Sequence, residues 1–160
     1  MPLTPAQAGA AQKPFPFLQT ASAERQPRFS PDGRWVAYQS NESLQFEIYL
    51  APFHGAFPSP GGKRQVSTNG GTNPRWRRDG KEIFYIGADR RLMAAEVNGI
   101  GNTIEVGQVR PLSIPVAAGP LLGYQYDVSA DGQRFLVATP EGNASPPLTL
   151  IQNWVAGLKK

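Results

Sequence analysis

The sequence predicts an all-β chain built from three repeated antiparallel sheets. Three stretches carry this prediction: FSPDGRWVAY over 29–38, WRRDGKEIFY over 76–85 and VSADGQRFLV over 128–137. In each stretch an Asp-Gly pair separates an apolar or aromatic residue from a dense apolar run. The pairs recur at a spacing of about 50 residues, which is typical of the blades of a β-propeller. We therefore expect a partial β-propeller of about three four-stranded antiparallel blades, with an extra N-terminal outer strand.

The Asp-Gly pairs have the chemistry of hairpin turns. In the first copy, Pro31 fixes φ at the second turn position, Asp32 suits the third, and Gly33 takes the positive φ that follows a type I turn. The later copies lose the proline and keep the pair. One Asp-Gly pair alone would be an ordinary turn, but three with matched flanks indicate a repeat. The predicted structural turn residues are Asp32, Gly33, Asp79, Gly80, Asp131 and Gly132.

The strand pattern divides the chain into segments. The strand after each Asp-Gly pair is apolar on both faces, as a sheet buried between two neighbours requires. The stretch 13–20 reads as an outer strand, either a remnant of an earlier blade or the missing partner of 148–154, and its prolines are tolerated only at a sheet edge. We predict a flexible segment 1–12, this outer strand at 13–20, blade one at 21–70, blade two at 71–118, and a three-stranded blade three with a C-terminal tail at 119–160.

Composition narrows the class of protein. The chain has 160 residues with 17 Gly and 16 Pro, so many turns and few long helices are expected. With 40% hydrophobic and 18% charged residues, it is not of the disordered type. The net charge of +4 weakly favours an acidic partner, and the absence of cysteine excludes disulfides and thiolate metal sites. No apolar run is long enough for a membrane helix, and the N-terminus lacks the pattern of a signal peptide.

Patterns of catalytic and cofactor chemistry are missing from the sequence. The single histidine, His54, falls in a predicted loop without a nucleophile or an orienting acid, so a solvent-facing role is expected. The glycine pairs at 61–62 and 99–101 do not complete a phosphate-binding loop or a dinucleotide fingerprint. Acidic residues are dispersed and form no calcium loop. We therefore predict no catalytic, cofactor-binding or metal-binding residues, and expect that the chain is not an enzyme.

The densest basic cluster is Arg75, Arg77 and Arg78, around Trp76. Strand alternation places Arg75 and Arg77 on one side and Trp76 and Arg78 on the other, which disfavours a base-stacking surface for nucleic acid. Two interpretations remain: a solvated rim with arginine ion pairs, or a rim that recognises an acidic protein or ligand. We regard the three arginines as a candidate partner-binding rim.

The run Phe29-Ser30-Pro31-Asp32-Gly33 resembles the repeats of TolB-type β-propellers, and the resemblance covers about residues 13–158. The stretches 62–71, 74–80 and 153–158 are similar to the C-terminal propellers of large bacterial receptor-type serine/threonine kinases. The resemblance implies a non-enzymatic sensor or protein-interaction module, with the kinase chemistry in a separate N-terminal domain. It also implies a periplasmic or extracytoplasmic location.

The number of repeats differs from that of a closed propeller. Propellers close with about four to eight blades, so three blades should leave two exposed sheet faces and unpaired edges. We expect a fragment of a longer chain, or a half-ring completed by a second copy. The alternative functions are a propeller cap that gates substrate access to a hydrolase or peptidase domain, and a small-ligand or enzymatic site in the central channel.

Overall fold

The computed structural model describes residues 16–53, 62–100, 103–118, 123, 125–139 and 148–152. Within these residues the chain forms three antiparallel sheets and no helix, which confirms the predicted all-β, partial-propeller architecture. The first sheet contains β1 (Glu24–Phe29), β2 (Trp35–Ser40), β3 (Glu47–Pro52) and β4 (Arg64–Gln65). The second contains β5 (Gly71–Trp76), β6 (Glu82–Gly87), β7 (Arg91–Ile100) and β8 (Thr103–Pro115), and the third contains β9 (Tyr126–Val128), β10 (Arg134–Ala138) and β11 (Leu148–Gln152).

The second sheet is sandwiched between the other two. Because successive strand residues point to opposite faces, β6 directs Ile83 and Tyr85 towards the first sheet and Phe84 and Ile86 towards the third. All residues of β2 are buried, and β6 is buried up to its last residue, so the expectation of strands apolar on both faces is confirmed there. In β10 buried and exposed residues alternate, because within the described residues only one of its faces packs against another sheet.

A bulge in β5 joins all three sheets. Pairing between β5 and β6 shifts register between Thr72 and Arg75, and Asn73 there has a φ of 55°. The Asn73 N–H donates to Gln39 Oε1 of β2 at 3.0 Å, and its carbonyl accepts from the Tyr126 hydroxyl of β9 at 2.8 Å. The bulge removes the N–H and carbonyl of Asn73 from the pairing of β5 with β6, and these two groups bond to the neighbouring sheets instead.

The outer face of the first sheet is covered by the chain itself. Phe17, Leu18 and Phe53 pack against the buried residues of that face, which are Val36, Tyr38, Tyr49 and Ala51. The expected outer strand at 13–20 is wrong for its described part: residues 16–20 form no strand, and 13–15 lie outside the described residues. Two adjacent apolar side chains cover more of a sheet face by lying across it than by alternating along an edge strand.

The outer face of the third sheet is open in the described part of the chain. It exposes Leu136 by 42%, Leu148 by 73% and Leu150 by 53%. Two outer sheet faces were expected to be exposed. Within the described residues only that of the third sheet is open, because Phe17, Leu18 and Phe53 cover the outer face of the first. The predicted strand at 148–154 is seen over Leu148–Gln152, and 153–160 lie outside the described residues.

The hairpin between β1 and β2 makes a direct stability prediction. Gly33 has a φ of 72°, and a Cβ there would meet nothing within 4 Å, so a substitution acts through backbone strain alone. We expect Gly33→Val to lower the free energy of unfolding by more than ~1 kcal/mol, measured by urea denaturation. Gly33→Asn is the matched control and should lose clearly less, because asparagine tolerates this conformation. Equal midpoints for the valine variant and the parent would contradict the assigned turn.

Candidate functional site

The three Asp-Gly turns share one hydrogen-bonding scheme. In each turn the glycine N–H donates to the carbonyl three residues earlier at 2.9 Å, and the glycine φ lies between 71° and 73°. The aspartate Oδ1 accepts from the backbone N–H two residues later. These donors are the N–H groups of Arg34 at 3.1 Å, Lys81 at 3.0 Å and Gln133 at 2.9 Å. The local geometry of each turn is thus fixed by its own residues.

The turns contact one another and form a continuous surface, here named the turn rim (residues 30–34, 77–81 and 129–133). A methyl group at Gly80 would lie 3.8 Å from Pro31 Cδ of the first turn. A methyl group at Gly132 would lie 2.8 Å from Arg77 Cδ of the second turn. Glycine at 132 is therefore needed for close packing as well as for its φ, and the turn rim runs along one end of all three sheets.

The middle turn differs from the outer two in its first residue. In the outer turns a serine hydroxyl donates to the aspartate and accepts a strand N–H, from Trp35 at 2.9 Å and from Arg134 at 3.0 Å. In the middle turn Arg77 takes this place. Its guanidinium pairs with Asp79 Oδ2 at 2.7 Å and with Glu82 Oε2 at 2.6 Å. Arg77 therefore ties the turn to the start of β6.

The structure separates the three arginines of the candidate rim. Arg75 is largely covered, with its side chain 17% exposed, and its Nε lies 3.7 Å from Asp127 Oδ1 of the third sheet. Arg77 is engaged by the two carboxylates just described. Arg78 is exposed, and it makes no ion pair or hydrogen bond within the described part of the chain. Of the three, Arg78 is the cation that the turn rim presents to solvent.

The carboxylates of the outer turns are held in the ionised form. The hydrogen bond from Ser30 is the main cause that lowers the pKa of Asp32 from 3.8 to about 2, and the Arg34 N–H and guanidinium add to it. Partial burial of the Asp32 carboxyl acts in the opposite direction. The hydrogen bond from Ser129 likewise lowers the pKa of Asp131. In both turns the aspartate carboxylate is therefore ionised and already accepts hydrogen bonds from donors of its own turn.

A cavity of about 700 Å³ opens between the first and second turns, here named the turn cavity. Trp35 lines it and is 3% exposed, and its indole Nε1 has no hydrogen-bond partner in the described part of the chain. A buried donor left without a partner costs about 1–3 kcal/mol. The cavity is also lined by Pro31, Asp32, Arg34, Trp76, Arg78, Asp79, Lys81, Gly99, Ile104 and Glu105.

Sequence reasoning missed the turn cavity. Trp35 stands in an apolar strand and was expected in the core, and its N–H partner cannot be read from the sequence. Gly99 and Glu105 reach the cavity only because β7 and β8 form a long hairpin beyond the end of the sheet. In the sequence, Gly99 shows only an incomplete dinucleotide fingerprint and no sign of a cavity.

Other kinds of site find little support in the described residues. Over those ranges, no group of histidine, aspartate and glutamate is arranged to hold a metal ion. No helix long and apolar enough to cross a membrane occurs there either. The loop histidine His54 lies outside the described residues.

The hydrogen bond between Ser30 and Asp32 makes a prediction about pH. Ser30→Ala should raise the pKa of Asp32 from about 2 towards 3.8, measured by ¹³C NMR titration of the carboxyl carbon. Because the folded pKa is depressed, this carboxylate stabilises the fold above about pH 4, and the contribution is lost as the pH falls towards 2. In Ser30→Ala the folded pKa lies closer to 3.8, so the pH range over which this contribution to stability is lost should be narrower. Ser43→Ala, in a loop at the other end of the sheet, is the control, and an unchanged Asp32 pKa in Ser30→Ala would contradict the assignment.

Solved structures of β-propellers resemble this chain. TolB from Acinetobacter baumannii matches with a TM-score of 0.56 and 21% identity, over 79% of this chain and 29% of that one. A putative 6-phosphogluconolactonase from Bacteroides uniformis ATCC 8492 matches with a TM-score of 0.50 and 15% identity, over 83% of this chain and 40% of that one. No protein-family profile and no curated protein matches the sequence. The chain thus spans less than half the length of either structure, and what the likeness shows is the fold: a TolB-like β-propeller fold.

Proposed function

We propose that the chain is a non-enzymatic propeller segment that binds a protein partner through the turn rim. The observation that supports this function is the continuity of the turn rim, which carries Arg78 beside an open cavity. Arg78 is exposed and has no pairing partner among the residues that the structure describes. Loops held by a rigid β scaffold commonly carry binding residues. The net charge of +4 and the exposed cation favour an acidic surface on the partner.

The parent protein is proposed from sequence resemblance. The stretches 62–71, 74–80 and 153–158 are similar to propellers of receptor-type kinases, which supports a sensor segment outside the cytoplasm. A hydrolase or peptidase gated by the propeller is the alternative. The reading frame that encodes the rest of the protein separates the two, because a kinase domain supports sensing and a hydrolase domain supports gating.

Site-specific crosslinking tests the role of the turn rim. A photoreactive p-benzoylphenylalanine replaces Arg78 in the full-length protein, and ultraviolet light is applied in its native cells. We expect a protein adduct, identified by mass spectrometry. The matched control replaces Arg91, an exposed arginine at the start of β7, at the opposite end of the second sheet. No adduct at position 78, or equal adducts at both positions, would overturn the proposed function.

We further propose that the outer face of the third sheet packs against another propeller sheet. The second sheet has both faces covered by neighbours, and the third exposes leucines on the side where the next neighbour would lie. In the isolated chain a second copy can supply that sheet by a two-fold contact. A six-sheet ring from two copies would also require Phe17 and Leu18 to leave the first sheet.

The oligomeric state of the purified chain tests this packing. We expect light scattering to show a dimer that dissociates on dilution. Leu150→Glu should shift the equilibrium to the monomer, because it places a charge in the apolar contact. Val109→Glu, at a half-exposed position on β8, is the control and should leave the equilibrium unchanged. A folded parent that stays monomeric over the whole concentration series would remove the self-association proposal.

A further inference from the structure

We propose that the turn cavity binds a carboxylate on a peptide segment of the partner protein, with the Trp35 indole N–H as a donor. This inference rests on the proposed function and gives its chemistry. It names the group recognised, the residues that recognise it and the place where they meet.

The first observation is a pair of donors beside Gly99. A methyl group at Gly99 would lie 4.0 Å from Trp35 Nε1 and 3.9 Å from Arg34 Nη2. Both nitrogens therefore lie close to the same point beside Gly99. The Arg34 side chain is 55% exposed and pairs with Asp32, so a ligand reaches the buried indole N–H when Arg34 leaves this pair and turns its guanidinium to the carboxylate. The indole N–H has no partner in the described residues, so an incoming oxygen satisfies it without breaking a hydrogen bond of the indole itself.

The second observation is an excess of donors over free acceptors in the turn cavity. Asp32 and Asp79 accept hydrogen bonds within their own turns and pair with Arg34 and Arg77 respectively. Lys81, like Arg78, has no side-chain partner in the described part of the chain. Among the described lining residues, two cations and one indole N–H thus remain against one unpaired carboxylate, that of Glu105. Charge-assisted hydrogen bonds between such cations and the carboxylate of a ligand are the strong kind.

The third observation is the apolar part of the lining. Pro31, Trp76 and Ile104 contribute carbon surface to a cavity of about 700 Å³. That size lies within the usual range for ligand pockets, roughly 300–1,000 Å³. A bare inorganic anion would leave this surface unused, whereas a peptide can place an apolar side chain on it. The carboxylate comes from an acidic side chain or from a peptide C-terminus, and both present the same two oxygens.

Nuclear magnetic resonance on the full 160-residue chain provides the test. The probes are acetyl-Ala-Leu-Glu-Ala-amide, acetyl-Ala-Leu-Ala with a free C-terminus, and the Gln analogue of the first. We expect the Trp35 indole N–H resonance, assigned with Trp35→Phe, to move downfield with a carboxylate probe. The backbone N–H of Arg91, which donates to Asp89 Oδ1 at 3.1 Å at the other end of the second sheet, serves as the internal reference. The carboxylate probe that binds more tightly identifies the source of the group.

Charge variants sharpen the test. Lys81→Ala and Arg78→Ala should each weaken binding of the probe several-fold, and both side chains are exposed, so folding is preserved. Glu105→Gln should tighten binding, because Glu105 is an anion on the cavity wall. Arg91→Ala, at the other end of the second sheet, should change nothing.

Two results would overturn this inference: no movement of the Trp35 resonance with either carboxylate probe, or equal binding of the Gln analogue. These failures are distinguishable from failure of the proposed function. If the crosslink at position 78 forms while the probes do not bind, the turn rim binds a partner by other contacts. If the probes bind and the crosslink is absent, the cavity chemistry holds and the turn rim is not the protein-binding surface.

Discussion

The arrangement of this chain depends on the backbone of Asn73. Buried N–H and carbonyl groups must find partners, and a bulge removes both from the ladder of their own sheet. Here Gln39 on one side and Tyr126 on the other take them up, so a single irregular residue is bonded to all three sheets. The apolar faces on either side of β6 then meet their neighbours in one register. Each Asp-Gly turn joins the first two strands of its sheet, so in this stack the three turns lie at the same end and form the turn rim.

The electrostatics of the turn rim depend on which charged groups are already paired within their own turn. A turn aspartate held by a serine hydroxyl, a backbone N–H and an arginine has little capacity left for a ligand. The cations that stand outside these closed sets, Arg78 and Lys81, are the groups left to interact with other molecules. Among the described residues of the turn rim and the turn cavity, the charged groups that remain unpaired are therefore the cations of Arg78 and Lys81 and the carboxylate of Glu105.

The sequence predicted the features that depend on local chemistry. Turn residues and two-sided apolar strands follow from φ preferences and strand periodicity, so the three sheets and their order along the chain were foreseen. It did not predict that Phe17 and Leu18 lie across a sheet face, because an edge strand and a covering segment have similar composition. The ion pair of Arg75 with Asp127, and the indole of Trp35 that has no partner in the described residues, arise from the packing of residues far apart in sequence. Periodicity contains no information about such contacts.

The uneven cover of the sheets has a consequence for dynamics. The second sheet is flanked on both sides and the first is closed by its own N-terminal segment, but the third has three short strands and one neighbour in the described part of the chain. Opening of a sheet exposes the least apolar area where the fewest partners hold it. Among the strands, we therefore expect the amide protons of β9 to β11 to exchange with solvent first and those of β6 last. A protein that covers the open leucines would slow exchange throughout the third sheet without touching the turns.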